Sequence, residues 1–165
     1  MTRVFWVIVA LGLPALAWAQ GASIAMGTPA FDVSLPVEVS ADALSVDQAT
    51  GAATFEGNVL VVQGDVRMSA GAVEITYAND DNTTGNGIDA LQARGGVTFV
   101  TATDAVEASE AVYSMAEGTV VLSGNVLLTQ GQNAISGDRL IVNLEAGTGR
   151  MEGRVRTVIG GGGGN

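Results

Sequence analysis

From Val37 onward, apolar and polar residues alternate in short runs broken by Gly, Asn and Asp. The run from Thr54 to Val61 puts Phe55, Val59 and Val61 on one face and Thr54, Glu56 and Asn58 on the other. A period of two marks a strand with one buried face, because successive side chains leave a strand on opposite sides. Ala72 to Tyr77 repeats the pattern, with Val73, Ile75 and Tyr77 expected inward, and Leu140, Val142 and Leu144 do so again. After residue 19 no long segment carries apolar residues at helical spacing, and Val, Thr and Gly dominate. The chain is expected to be all-β.

The strand pattern is itself repeated. FEGNVLVVQG from Phe55 returns as LSGNVLLTQG from Leu122, 67 residues later. Gly57-Asn58-Val59 has further relatives in Gly95-Gly96-Val97, Gly124-Asn125-Val126 and Gly153-Arg154-Val155, at spacings of 38, 29 and 29 residues. A turn glycine (Gly51, Gly118 or Gly147) lies six residues upstream of three of them. The longer spacing holds Asn79 to Gly87, which reads as a polar loop inserted between strands. Its Asp80, Asn82 and Gly85 imitate the start of a calcium loop, but Leu91 stands where the bidentate Glu belongs, so a surface turn is expected.

Each unit reads as one long strand through Gly-x-Val followed by two shorter strands. One unit cannot bury its own apolar face, so the units must stack into an open roll of antiparallel strands. The expected inward set is Phe55, Val59 and Val61, then Leu91, Ala93, Val97 and Phe99, then Leu122, Val126 and Leu128, and finally Met151 and Val155. Gly57, Gly95, Gly124 and Gly153 fall on the same parity, where a missing side chain permits a bend or a close approach. Ordinary core is the default use of such a set. With few large aromatics to plug the middle, the same lining could hold alkyl chains, at about 0.8 kcal/mol per buried methylene.

A repeat array leaves strand edges at its two ends, here near Val37 to Val46 and near Arg150 to Val158. Arg150, Arg154 and Arg156 share one parity of the last strand. They serve either as edge protection by charge or as a dock for an acidic partner or a phosphate.

The first 19 residues read as a signal peptide: Arg3, an apolar run from Val4 to Leu13, and Ala17-Trp18-Ala19 as the cleavage site. A retained anchor is the alternative, but the run falls short of the ~20 residues that cross a bilayer, and Pro14 interrupts it. The expected division is then an extended lead-in over 20–36, one β domain over 37–159 and a flexible Gly-rich tail over 160–165.

Without Arg3, six arginines face seventeen acids, a formal net charge of −11. Phosphate binding depends on clustered Lys and Arg, so nucleic acid is a poor partner. The absence of His, Cys and Lys removes Ser-His-Asp, Cys-His and zinc chemistry. No catalytic residue, metal site or cofactor is expected. A carbohydrate-active β-repeat enzyme working with paired carboxylates is the one enzyme alternative left, and Glu56, Glu74 and Glu152 alternate with apolar residues as a solvated face would.

The A-D-x-L-x-V-D opening from Ala41, the G-N-V strands and the G-D-R-L-x-V-x-L segment from Gly137 together resemble the LptA/OstA-like family of periplasmic lipopolysaccharide-transport proteins. The likeness runs from Val37 to about Val158. It implies an open β-jellyroll whose interior shields the lipid A acyl chains of lipopolysaccharide, the inward set being the lipid-binding interior. It further implies a non-enzymatic, periplasmic bridge between inner and outer membranes, stacked head to tail with itself. An inner-membrane-anchored partner would meet the edge at Val37 and Val39. An outer-membrane partner would meet the edge at Arg154, Val155 and Arg156. The cleavable signal favours the soluble bridge over its anchored siblings.

Overall fold

The computed structural model describes residues 22–26, 32–78 and 87–160. The expected signal peptide, most of the polar insertion and the tail after Gly160 lie outside the described residues. Eleven strands are described: β1 (Ala22–Ala25), β2 (Glu38–Ser40), β3 (Ala43–Val46), β4 (Ala53–Gln63), β5 (Val66–Tyr77), β6 (Ile88–Val100), β7 (Asp104–Ser114), β8 (Thr119–Gln130), β9 (Asn133–Asn143), β10 (Thr148–Glu152) and β11 (Arg156–Val158). They form one antiparallel sheet in the order β1-β10-β9-β8-β7-β6-β5-β4-β2, with β3 also on β4 and β11 also on β9. The described residues contain no helix.

The repeating unit is a hairpin of two long strands, which corrects the expected long strand and two short ones. Ala72 to Tyr77 is only the second half of β5. The sequence hides this because the inward parity of β5 changes midway: Val66, Met68 and Ala70 are buried before Gly71, and Val73 and Ile75 after it.

That change has a geometric cause. The register shifts between Glu56 and Val59 on β4, between Arg94 and Val97 on β6, and between Ser123 and Val126 on β8. At each shift two residues of the Gly-x-Val motif oppose one residue on the next strand, which is a β-bulge. Gly57, Gly95, Gly124 and Gly153 have φ between 74° and 84°, and the residues after them are left-handed too: Asn58 46°, Gly96 82°, Asn125 50° and Arg154 42°. Asn58, Asn125 and Arg154 are the only non-glycine residues with positive φ among those described. Glycine and asparagine tolerate this region best, which explains the G-N pair.

The bulges line up across the sheet as a crease that folds every long strand at the same level. One limb carries β1, β3, β10 and the strand halves around Leu91. The other carries β2, β11 and the halves around Phe99. The two inner faces meet across the roll, where Tyr113 on the Leu91 limb reaches Gln63 on the Phe99 limb. Beside the crease, a β-carbon on Gly137 would sit 2.7 Å from the Met151 side chain of the neighbouring strand. One apolar cluster runs through both limbs, and Leu91, Leu122, Leu128, Leu140, Leu144 and Met151 are fully buried within it.

Candidate functional site

The crease is held by what faces each motif glycine on the preceding strand: Asp42, Gly71, Ser109 and Asp138. A β-carbon on Gly57, Gly124 or Gly153 would meet the Asp42, Ser109 or Asp138 side chain at 2.5 to 2.6 Å. Gly95 meets backbone instead, with its absent β-carbon 3.2 Å from Gly71 Cα. Asp42 N donates to Gly57 O and Asp138 N to Gly153 O, at 2.9 and 3.0 Å. Asn58 Nδ2 donates to Asp42 Oδ2 at 2.7 Å, and the Arg154 guanidinium donates to both oxygens of Asp138. The Arg154 hydrogen bonds hold the Asp138 carboxyl below its ordinary range, and the same pairing raises Arg154. The A-D and G-D-R motifs are therefore crease parts.

Most of the expected lining is where the alternation puts it. Val59, Val61, Leu91, Ala93, Val97, Phe99, Leu122, Val126, Leu128 and Met151 are buried, and Phe55 is half-buried against the same core. Two residues are not. Val155 is 40% exposed, because it follows the Gly153-Arg154 bulge and falls between β10 and β11, outside any strand. Tyr77 is 46% exposed, because the β5–β6 register slips between Thr76 and Tyr77 and brings Ile88 inward instead.

Among the described residues the interior is lined by apolar side chains. A cavity of about 20 Å³ is bounded by Val61, Met68, Phe99, Tyr113 and Val120, room for about one water and not for an alkyl chain. The mouth between the limbs, opposite the crease, is laced by polar groups. Buried Gln63 donates through Nε2 to Val33 O and Leu35 O, both at 2.9 Å, and its Oε1 accepts from Tyr113 Oη at 3.0 Å. Gln130 Nε2 donates to Ala25 O at 3.0 Å and to Asp104 Oδ1 at 2.8 Å. Burial, and then the charge of Glu145, push the Tyr113 hydroxyl up to about 12.

Gln63 and Gln130 hold the same place in the two copies of the repeat, as the last residue before the turn glycine. Neither is among the residues that the alternation assigns to the site. Their signal was a polar side chain continuing the inward series, Val59-Val61-Gln63 and Val126-Leu128-Gln130, where an apolar residue is due.

The expected edges are more divided than the alternation suggested. Val37 precedes β2 and Val39 lies within it, both half-buried against the core. The last strand breaks at the Gly153-Arg154 bulge into β10 and β11. The outer side of β10 is covered by β1, so the row expected to be open at Arg150 is paired. Arg154 is engaged with Asp138, while exposed Arg156 lies on β11.

A family model described as LptA/(LptD N-terminal domain) LPS transport protein matches residues 38–148. The lipopolysaccharide export system protein LptA of Escherichia coli K12 is 32% identical over 127 residues, covering 71% of this chain and 66% of the relative. An uncharacterized protein of Rhizobium meliloti is 27% identical over 121 residues, covering 71% of this chain and 65% of its own length. This chain thus spans slightly less than two thirds of these relatives. Among solved structures, LptH of Pseudomonas aeruginosa, described as the LptA-homologous periplasmic component of a lipopolysaccharide transport device, matches with a TM-score of 0.68. It is 19% identical, and the match covers 80% of this chain and 99% of that one, a likeness of fold. These matches leave the carbohydrate-enzyme alternative without support, and Glu74 and Glu152 are engaged with Arg94 and Arg150. The chain belongs to the LptA/(LptD N-terminal domain) family of lipopolysaccharide-transport proteins.

Proposed function

We propose that this protein is a periplasmic segment of a bridge that shields the lipid A acyl chains of lipopolysaccharide and passes them from inner to outer membrane. The observation that carries this reading is an apolar inner face that continues from the β2–β3 end of the roll to the β10–β11 end. Such a face can hand an alkyl chain along its length without exposing it to water. The named activities of LptA and LptH support the same reading.

Loading requires the limbs to part at the mouth, where side-chain hydrogen bonds fasten them. Separation at the mouth breaks the Tyr113–Gln63 and Gln130–Ala25 hydrogen bonds and leaves the crease intact. The ligand then replaces side-chain contacts between the limbs with contacts to methylenes. The protein acts by binding and transfer, without a cofactor or covalent chemistry. Its N-terminal edge, β2 and β3, faces an inner-membrane-anchored partner. Its C-terminal edge faces an outer-membrane one or a further copy of itself, head to tail.

The test is Phe99→Asp, which sets an unpaired carboxylate on the inner face. Variant protein that keeps its β circular dichroism is expected to lose at least about tenfold in affinity for fluorescent lipopolysaccharide, or 1.4 kcal/mol. Unchanged capture by the folded variant would reduce this face to ordinary core.

A further inference from the structure

β1 lies out of sequence order, at the far end of the sheet from β2. It sets Ser23 opposite Arg150, Ile24 opposite Gly149 and Ala25 opposite Thr148. Met26 N donates to Gly147 O at 2.9 Å, and Gln130 fastens Ala25 O. Ile24 and Met26 are buried, and Met26 reaches over Gly149, where a β-carbon would lie 3.0 Å from its sulfur. β1 thus supplies the last apolar rung of the Leu91 limb.

At the other end β3 presents the complementary feature. Leu44 lies opposite inward Phe55, and Val46 shares its parity, yet they are 58% and 59% exposed. β3 runs antiparallel to β4 and β1 antiparallel to β10. β4 and β10 are an even number of antiparallel steps apart, so they point the same way. β3 of a second copy would therefore arrive at β10 in the direction β1 now takes.

The crease also sets the register. Gly57-Asn58, Gly95-Gly96 and Gly124-Asn125 each oppose one residue of the following strand: Gly71, Ser109 and Asp138. Applied to Gly153-Arg154 and Asp42 of a second copy, the same rule sets Leu44 against Met151, Ser45 against Arg150 and Val46 against Gly149. Val46 then falls where Ile24 lies, on the inward parity, with no adjustment. On the Phe99 limb, β11 carries no strand on its outer side among the described residues. The same stacking brings β2 alongside it, with Glu38 diagonal to Arg156, a pairing of opposite charges.

We infer that β1 is an exchangeable cap, holding the last rung of the Leu91 limb until β3 of a second copy, footed on β11, takes its place. This rests on the head-to-tail stacking proposed above. The cap blunts an apolar edge in the lone molecule, as edge strands require, and sets a threshold for chain growth.

The chain has no cysteine, so Ser23→Cys with Arg150→Cys adds the only thiols, on two exposed residues directly opposite each other. Sedimentation velocity of this one variant is read oxidised and reduced, so folding is common to both states. The oxidised protein is expected to self-associate at least about tenfold more weakly than the reduced, and Ile24→Asp at least about threefold more tightly than wild type. Mixing Ser45→Cys and Arg150→Cys copies should give the mixed disulfide. Equal association in the two redox states, a monomeric Ile24→Asp protein, or Arg150→Cys dimers in place of the mixed species would each overturn the cap. Fluorescent lipopolysaccharide capture on the same samples reports separately on the carrier reading: its loss with exchange intact would count against that reading alone.

Discussion

Tyr113 donates its hydroxyl to Gln63 Oε1 at 3.0 Å, tying two limbs of the sheet across fifty residues of chain. Gln63 in turn holds the carbonyls of Val33 and Leu35. Gln63→Leu keeps the side-chain bulk and removes all three hydrogen bonds, leaving Tyr113 without its acceptor. The expected cost is about 1–3 kcal/mol, read as a lower urea midpoint. Limited proteolysis should also move to residues 32–36, and cleavage elsewhere with an unchanged midpoint would argue against a fastened mouth.

The same tyrosine predicts an alkaline limit. Its folded pKa of about 12 lies above the ordinary value of about 10, so the unfolded chain releases this proton first. The stability it contributes is complete below about pH 10 and is lost as pH rises through about 12. Thermal melts of wild type should fall across that window, and Tyr113→Phe should flatten the fall. A slope unaffected by the substitution would place the titration elsewhere.

Two adjacent glycines should respond differently to substitution. Gly95 has φ +84° and backbone 3.2 Å from any β-carbon, whereas Gly96, at φ +82°, has open space around it. Gly95→Ala is expected to destabilise by about 1–3 kcal/mol or more. Gly96→Asn copies the residue found at Asn58 and Asn125 and should stay within about 0.5 kcal/mol of wild type. Chemical denaturation of the pair decides whether the crease or mere chain flexibility explains the motif.

Asp138 is held below its ordinary pKa first by its hydrogen bonds to Arg154. Arg154→Ala should therefore raise the Asp138 titration toward the usual carboxylate range in a carboxyl NMR experiment. A depressed folded value means that the pair's contribution is present above the unfolded pKa and lost as pH falls through the folded one. Both groups are exposed, so the change in stability should be small. An unmoved titration would show that the bulge backbone, and not the arginine, sets it.

The strand content, the inner face from Phe55 to Met151 and the bend at Gly-x-Val were all legible, because alternation and glycine placement are local signals. The strand lengths were not. The crease reverses the inward parity of β5, β7 and β9, so Val66-Met68-Ala70 and Val73-Ile75 read as separate strands. The crease also explains why Val155 was misjudged: its parity is right, but the strand has already broken. Nothing near Ile24 announces a partner at Gly149, since pairing between the two ends of a chain leaves no periodic trace. The glutamines at the mouth were visible but unread, because a polar residue in an apolar series resembles a strand end.

The lined-up bulges let each hairpin repeat the one before it without changing the cross-section of the roll. Neighbouring strands lie about 4.8 Å apart, so each hairpin lengthens the molecule by about 10 Å, and the path from β1 to β2 measures about 38 Å. Gaining or losing one hairpin would alter that length and leave both ends as they are. In the bridge proposed above, the span is then set by whole numbers, of hairpins within a copy and of copies within a row. Distance, for a protein built this way, is something counted.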